Sequence, residues 1–255
     1  MEENQELEQA KKERRLVIPG DHLGDEQAGH GTYVVEGKVY SKYIGLAEVR
    51  NGKHIVIPLA GVYSPKRGDG VIGKITDIIF QKWIVDINSP YEAVLPLSDA
   101  VEGFVDLTKE DLTRYFDYGD IIFAEISNVN RQKQVQLSMR SPKCRKLWGG
   151  RLIKVTPAKV PRIIGRQGSM VEMIKKLTGT QIVVGQNGIV WVRGDNEDLA
   201  AETVLTVERL SHKGGLTDYI KETLEKKVAE LKPVKDEEKV EEAEENLEES
   251  GEEEL

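Results

Sequence analysis

The sequence predicts a multidomain chain, mainly β and then α+β, ending in an acidic tail that carries no fold. Three observations predict this. Short β-type runs separated by turn signals fill the chain up to about Met139. From Gly149 onward, helical and strand periods alternate. Charge is segregated along the chain rather than mixed. The 255 residues suit two or three small domains, at roughly 100–200 residues each.

The net charge of −8 hides the segregation. From Ala229 to Leu255 there are thirteen acids and three lysines, a net of −10. Without aromatic residues such a segment cannot bury a core, so 232–255 is predicted to be disordered. Lys143 to Lys176 holds ten basic residues against one acid, Glu172, the footprint expected of a phosphate-backbone contact. No run approaches the ~18–20 apolar residues of a membrane span, which predicts a soluble chain with no membrane partner. The acidic start Met1-Glu2-Glu3 is the opposite of a secretory signal, and Cys144 stands alone, as suits a reducing cytoplasmic setting.

After a charged and flexible segment, 1–14, the elements follow in order. Runs at Thr32–Val35, Lys38–Tyr40, Ile44–Val49 and His54–Ile57 predict a small N-terminal β-domain over 15–62. Asn51-Gly52 between the last two is the strongest short hairpin signal, because both central residues of a type I′ turn need positive φ. Longer strands begin near Gly70 and continue at Trp83–Ile87. After a longer connection they resume at Gly119–Ile126 and Val135–Met139. With a looser strand at Tyr91–Leu97, this is the outline of a five-stranded OB-fold barrel over 65–141.

The stretch 149–214 reads β-α-α-β-β-α. Between its first two helices lies Ile163-Ile164-Gly165-Arg166-Gln167-Gly168-Ser169-Met170. Two glycines three apart let backbone approach a phosphate, and the helix start that follows favours an anion. Ser169 with Glu172 three residues later predicts a capping box, and Met170, Met173, Ile174 and Leu177 predict the buried face. This is the GxxG loop of a type I KH domain, a module that clamps about four nucleotides of single strand. The candidate RNA contacts here are Gly165, Arg166, Gln167 and Gly168, flanked by Lys159, Arg162 and Lys175. Leu216, Ile220, Leu224, Val228 and Leu231 predict a last amphipathic helix over 215–231.

The barrel resembles an S1 domain. The resemblance rests on Gly70-Val71-Ile72-Gly73-Lys74-Ile75, on Leu97-Ser98, and on Gly119-Asp120 through Val135-Gln136-Leu137-Ser138-Met139. The aromatic pair and histidine often displayed on that family's binding face fall here near Gln81, Ile84 and Pro96. Phe80, Trp83 and Tyr91 are the possible substitutes, each equally able to be core. Lys66 to Asn130 carries six basic residues against twelve acids, so RNA contact is expected at loops, through Lys66, Arg67, Lys82 or Arg131.

Nothing in the sequence signals catalysis. His22, His30, His54 and His212 are scattered, and one cysteine makes no metal cluster. Neither a Walker-type loop nor a GxSxG elbow occurs. Asp21 with Asp25, and Asp117 with Asp120, read as turn and cap residues. The expectation is a non-enzyme with no metal and no cofactor.

A β-domain, then S1, then KH resembles the RNA-binding cap subunit of the exosome, the ribosomal RNA-processing protein four family in a compact archaeal-looking form. Val17-Ile18-Pro19-Gly20-Asp21 and Gly29–Gly31 to Tyr33 look like that family's N-terminal domain. The resemblance implies three copies seated on a hexameric phosphorolytic ring, feeding the 3′ end of single-stranded RNA to it for degradation and processing. Two other readings are an independent S1/KH factor in translation or RNA chaperoning, and an assembly subunit whose modules have lost RNA affinity.

Overall fold

A computed structural model describes residues 15–25, 27–101, 111–211 and 215–229. The expectations for 1–14 and for the acidic tail, along with His212 and Leu231, lie outside the described residues. The chain forms two compact units. The first takes the chain up to Lys146 together with Lys154–Val160 and Gly185–Ile189; the second holds Leu147–Ile153, Pro161–Val184 and the chain from Val190.

The first unit opens with two small sheets. In one, β1 (Arg15–Val17) lies against β6 (Gly45–Arg50), β6 against β7 (Lys53–Pro58), and β7 against β3 (Gln27–Ala28). In the other, β5 (Lys38–Ser41) sits between β2 (His22–Gly24) and β4 (Thr32–Val35). Asn51 and Gly52 join β6 to β7 with φ of 53° and 69°, the two positive values a type I′ hairpin requires. Glu36 and Gly37, at 50° and 77°, turn β4 into β5 the same way. Val17, Val39 and Val56 form the small buried core.

The barrel is built from β8 (Gly70–Ile79), β9 (Lys82–Asp86), β10 (Ala93–Pro96), β11 (Ile121–Val129) and β12 (Val135–Ser138). Its first three strands form a meander, and β11 returns antiparallel to β8 with Ile121 opposite Lys74 and Glu125 opposite Gly70. Closure comes from β12, antiparallel to β11 and parallel to β10, where Ala93 faces Val135. Closing the sheet removes its exposed edges. A short strand, β13 (Arg145–Leu147), borders β11. Inside, Val71, Ile75, Trp83, Val85, Ile122 and Leu137 are buried with their neighbours as one core.

The second unit carries a three-stranded sheet in the order β14 (Arg151–Lys154), β16 (Ile189–Arg193), β15 (Gln181–Val184). Helices Val160–Ile164 and Ser169–Thr178 follow β14, and helix Glu197–Arg209 follows β16, giving the type I KH order. Residues 216–229 are helical, with Leu216, Ile220 and Leu224 buried as their spacing predicts.

Two local expectations are corrected. The N-cap of helix Ser169–Thr178 is Gly168, in the left-handed region, and no side chain caps it. Ser169 is already helical, so the capping box does not form; Glu172 instead reaches Lys175 at 3.3 Å. The buried face of that helix is Met170, Val171, Ile174 and Thr178, with Met173 and Leu177 only half-buried. The Thr178 hydroxyl is satisfied on that buried face by hydrogen bonds to Ile174 O at 2.8 Å and with Thr180 Oγ1 at 2.7 Å.

Candidate nucleic-acid interface

The segment between helices Val160–Ile164 and Ser169–Thr178 is a tight backbone device. Gly165 sits at φ 77° and ψ 179°, a region open essentially to glycine alone. A Cβ there would stand 2.7 Å from the Met170 nitrogen. Arg166 is helical, while Gln167 (φ 53°, ψ 27°) and Gly168 (φ 84°, ψ 5°) are left-handed. A right-handed residue followed by a left-handed one turns successive N–H groups toward one point, the geometry of an anion-binding nest. Ser169 N donates back to Arg166 O, and the N–H groups that follow it in the first turn of the next helix have no acceptor within that helix. Arg166 and Gln167 are exposed, so a ligand reaches this backbone from solvent.

The basic block that runs through the loop in sequence, residues 143–176, is partly neutralised. Arg151 pairs with Asp198, Lys146 with Asp120 and Lys175 with Glu172. Lys143, Arg145, Lys154, Lys159, Arg166 and Lys176 make no ion pair among the described residues. Unpaired cations of this kind release counterions when they meet phosphates, and that release drives most of the binding to a nucleic-acid backbone. Lys159 is half-buried in the first unit, and Arg162 is exposed on the short helix before the loop in the second.

The structure sorts the barrel candidates into two groups. Lys66 and Arg67 lie in the turn before β8, where Gly68 N donates to Ile126 O at 2.8 Å. Arg131 lies in the turn after β11, so these three share one end of the barrel. Lys82 opens β9 opposite Ile79 and Pro96, at the other end. All four side chains are exposed. Among the aromatic candidates, Trp83 is core. It is fully buried, its indole donates to Phe116 O at 2.9 Å, and its ring meets Phe116 edge-on at 5.3 Å. Phe80 is 91% exposed at the β8–β9 turn, and Tyr91 is at the margin of exposure with the Lys133 ammonium 6.0 Å from its ring.

Asp21, Asp117 and Asp120 are turn residues, as expected, while Asp25 lies 3.3 Å from His22 Nε2. Asp120 accepts from Asp117 N at 2.7 Å, and Asp21 from Ile18 N at 2.9 Å. Among the described residues no cluster of three or more potential metal ligands occurs, and no helix is long and apolar enough to cross a membrane. Sequence reasoning missed one feature of the fold here. Asn187, read only as a hairpin turn residue, is completely buried and bonds to the backbone of Ile72 and Ile87. An Asn in a turn gives no sign of such a long-range partner.

Comparison with known proteins agrees with the order of the domains. Residues 14–60 match the model of the "Exosome RNA binding protein RRP4 N-terminal domain". Residues 62–128 match the "RRP4, S1 domain", and residues 150–198 the KH domain. The exosome complex component Rrp4 of Thermococcus kodakarensis is 49% identical over 228 residues, covering 87% of this chain and 89% of that protein. That of Methanothermus fervidus is 45% identical over 215 residues, covering 83% and 95%. A crystal structure described as an exosome complex RNA-binding protein aligns with a TM-score of 0.61 at 28% identity, over 68% of this chain and 99% of its own. With all three domains matched in order and nearly half the residues identical to curated relatives, the chain belongs to the Rrp4 family of exosome components.

Proposed function

We propose that this chain is a non-catalytic, cytoplasmic subunit that captures single-stranded RNA and guides its 3′ end to a phosphorolytic ring for degradation and processing. The observation that carries the reading is the nest at Gly165–Gly168, in the same unit as the unpaired Arg166 and Lys176, in a chain whose relatives are named exosome components. The RNA contacts are Gly165, Arg166, Gln167 and Gly168 with Lys159, Arg162 and Lys175. At the barrel ends Lys66, Arg67, Lys82 and Arg131 add loop contacts. Three copies on a hexameric ring is the assembly that suits a cap subunit.

The N-terminal sheet offers the docking surface for the ring. Leu16, Leu46 and Ile57 stand in one cross-strand row of β1, β6 and β7. Leu16 is 63% exposed, and Ile44 and Leu59 beside the row are exposed as well. An apolar row of this kind on a small domain is explained by a protein partner.

The deciding experiment replaces Arg166 and Gln167 together with Asp and measures single-stranded RNA binding by fluorescence anisotropy. Circular dichroism checks the fold in parallel. Carboxylates suit a helix N-terminus but repel phosphate, so the variant should fold and bind about tenfold more weakly or worse. A folded variant of unchanged affinity would make this loop structural only.

A further inference from the structure

A cleft of about 290 Å³ opens in the first unit, lined by His30, Tyr43, Lys66 and Gln186 with apolar walls that include Pro58 and Pro157. We propose that this cleft takes one nucleotide of single-stranded RNA, its base against Tyr43 and its phosphate on Lys66. The GxxG loop is then a separate contact on the same strand. The inference rests on the RNA-binding reading above and assigns it a second site.

Size points to a single small unit. Pockets for small molecules begin at roughly 300 Å³, so the cleft has room for a nucleotide and not for a folded segment. Its polar groups are idle. Among the described residues Lys66 makes no ion pair, and the His30 ring, the Gln186 side-chain amide and the Tyr43 hydroxyl make no hydrogen bond. Polar side chains that converge on an apolar-walled cleft with their bonding capacity unused are the mark of a ligand site.

The chemistry of the lining selects the ligand. The Tyr43 ring is 40% exposed, and the Lys42 ammonium lies 5.9 Å from its centroid. An aromatic face beside lysines is how proteins hold single strands, because every base can stack and every nucleotide carries a phosphate. Burial, helped by the Lys66 charge, lowers the His30 pKa, so its ring is neutral at pH 7 and can donate and accept at a base edge. The one carboxylate in the lining, Asp69, accepts from the Tyr63 hydroxyl at 2.6 Å.

The test uses the full chain with a fluorescein-labelled oligouridylate, and with the same oligonucleotide carrying 4-thiouridine for photocrosslinking. Tyr43→Ala should weaken binding about fivefold or more, while Tyr43→Phe, which keeps the ring, should bind as the parent does. Lys66→Met should lower the slope of log affinity against log salt by about one. Crosslinks should map to the peptide carrying Tyr43, and should persist in the Arg166→Asp, Gln167→Asp background. If the parent binds RNA but Tyr43→Ala binds equally well and crosslinks map only to 161–176, this site is overturned and the RNA-binding reading stands. A parent that binds no RNA overturns both. Uridine monophosphate that shifts the His30 resonances and is not displaced by the oligouridylate would assign the cleft to a free nucleotide and overturn the proposal.

Discussion

The side chain of Asn187 takes the place of a missing strand beside Ile72. Its Nδ2 donates to Ile72 O at 2.7 Å and to Ile87 O at 2.8 Å, and its Oδ1 accepts from Ile72 N at 3.3 Å. The ladder between β8 and β9 starts only at Lys74 opposite Asp86, so Ile72 has no strand neighbour on that side. Gln186 N extends the same substitution by donating to Gly70 O at 2.8 Å.

Replacing Asn187 with Ala should therefore cost about 3 kcal/mol of stability. Three backbone groups would be left buried without partners, each an expensive loss. Asn187→Asp should be no better, because two of the three groups are carbonyls that a carboxylate repels. Urea midpoints of the two variants check this. A change below about 0.5 kcal/mol would mean that water replaces the amide.

How much of this was legible in the sequence depended on the range of the interaction. Asn51-Gly52, the strand runs and the GxxG loop are local signals, and each appeared where its own residues placed it. The Ser169 capping box failed because the two left-handed residues before the helix move the cap to Gly168, a backbone state that no side-chain pattern reports. Trp83 was ambiguous for a related reason. Period-2 alternation puts it on one face of β9, but only barrel closure decides that this face is the interior. The His30–Tyr43–Lys66 cleft joins residues from three separate turns and has no sequence signature at all.

The two glycines of the loop should tolerate alanine unequally. At Gly165 the new Cβ meets both a forbidden backbone region and the Met170 nitrogen, so Gly165→Ala should cost about 3 kcal/mol and lose RNA binding with the fold of the loop. At Gly168 the nearest atom is the flexible Glu172 Cγ at 4.0 Å, so only the left-handed conformation is penalised, by about 1 kcal/mol. Thermal denaturation ranks them. Equal losses would show that conformation alone, not the approach to Met170, sets the requirement.

His30 gives the first unit a pH signature. Partial burial first, and Lys66 second, lower its pKa below the ordinary 6.5, although the side chain keeps its contact with solvent. The unfolded chain then binds the proton more readily than the folded one. The contribution to stability is complete above pH 6.5 and is lost as pH falls from there through the folded value. Lys66→Met should raise the His30 pKa, though not beyond 6.5, because burial remains. An NMR titration of the His30 ring measures it, and an unchanged value in the variant would remove Lys66 as a neighbour.

Phe80 and Trp83, three residues apart, should respond in opposite ways. Trp83→Phe leaves the Phe116 carbonyl without its donor and opens space in a sealed barrel, so it should cost about 2–3 kcal/mol. Phe80 buries almost nothing and holds φ at 50°, a conformation that penalises a bulky side chain. Phe80→Gly should relieve that strain and raise stability by up to about 1 kcal/mol, read as a higher urea midpoint. Phe80→Ala, which keeps a Cβ, should leave stability within about 0.5 kcal/mol of the parent. Phe80 is an exposed ring at the end of the barrel that also carries Lys82, and is proposed as an RNA contact. RNA affinity should therefore fall in Phe80→Gly even as stability rises. A variant that gains stability and binds RNA as before would show that Phe80 touches no RNA.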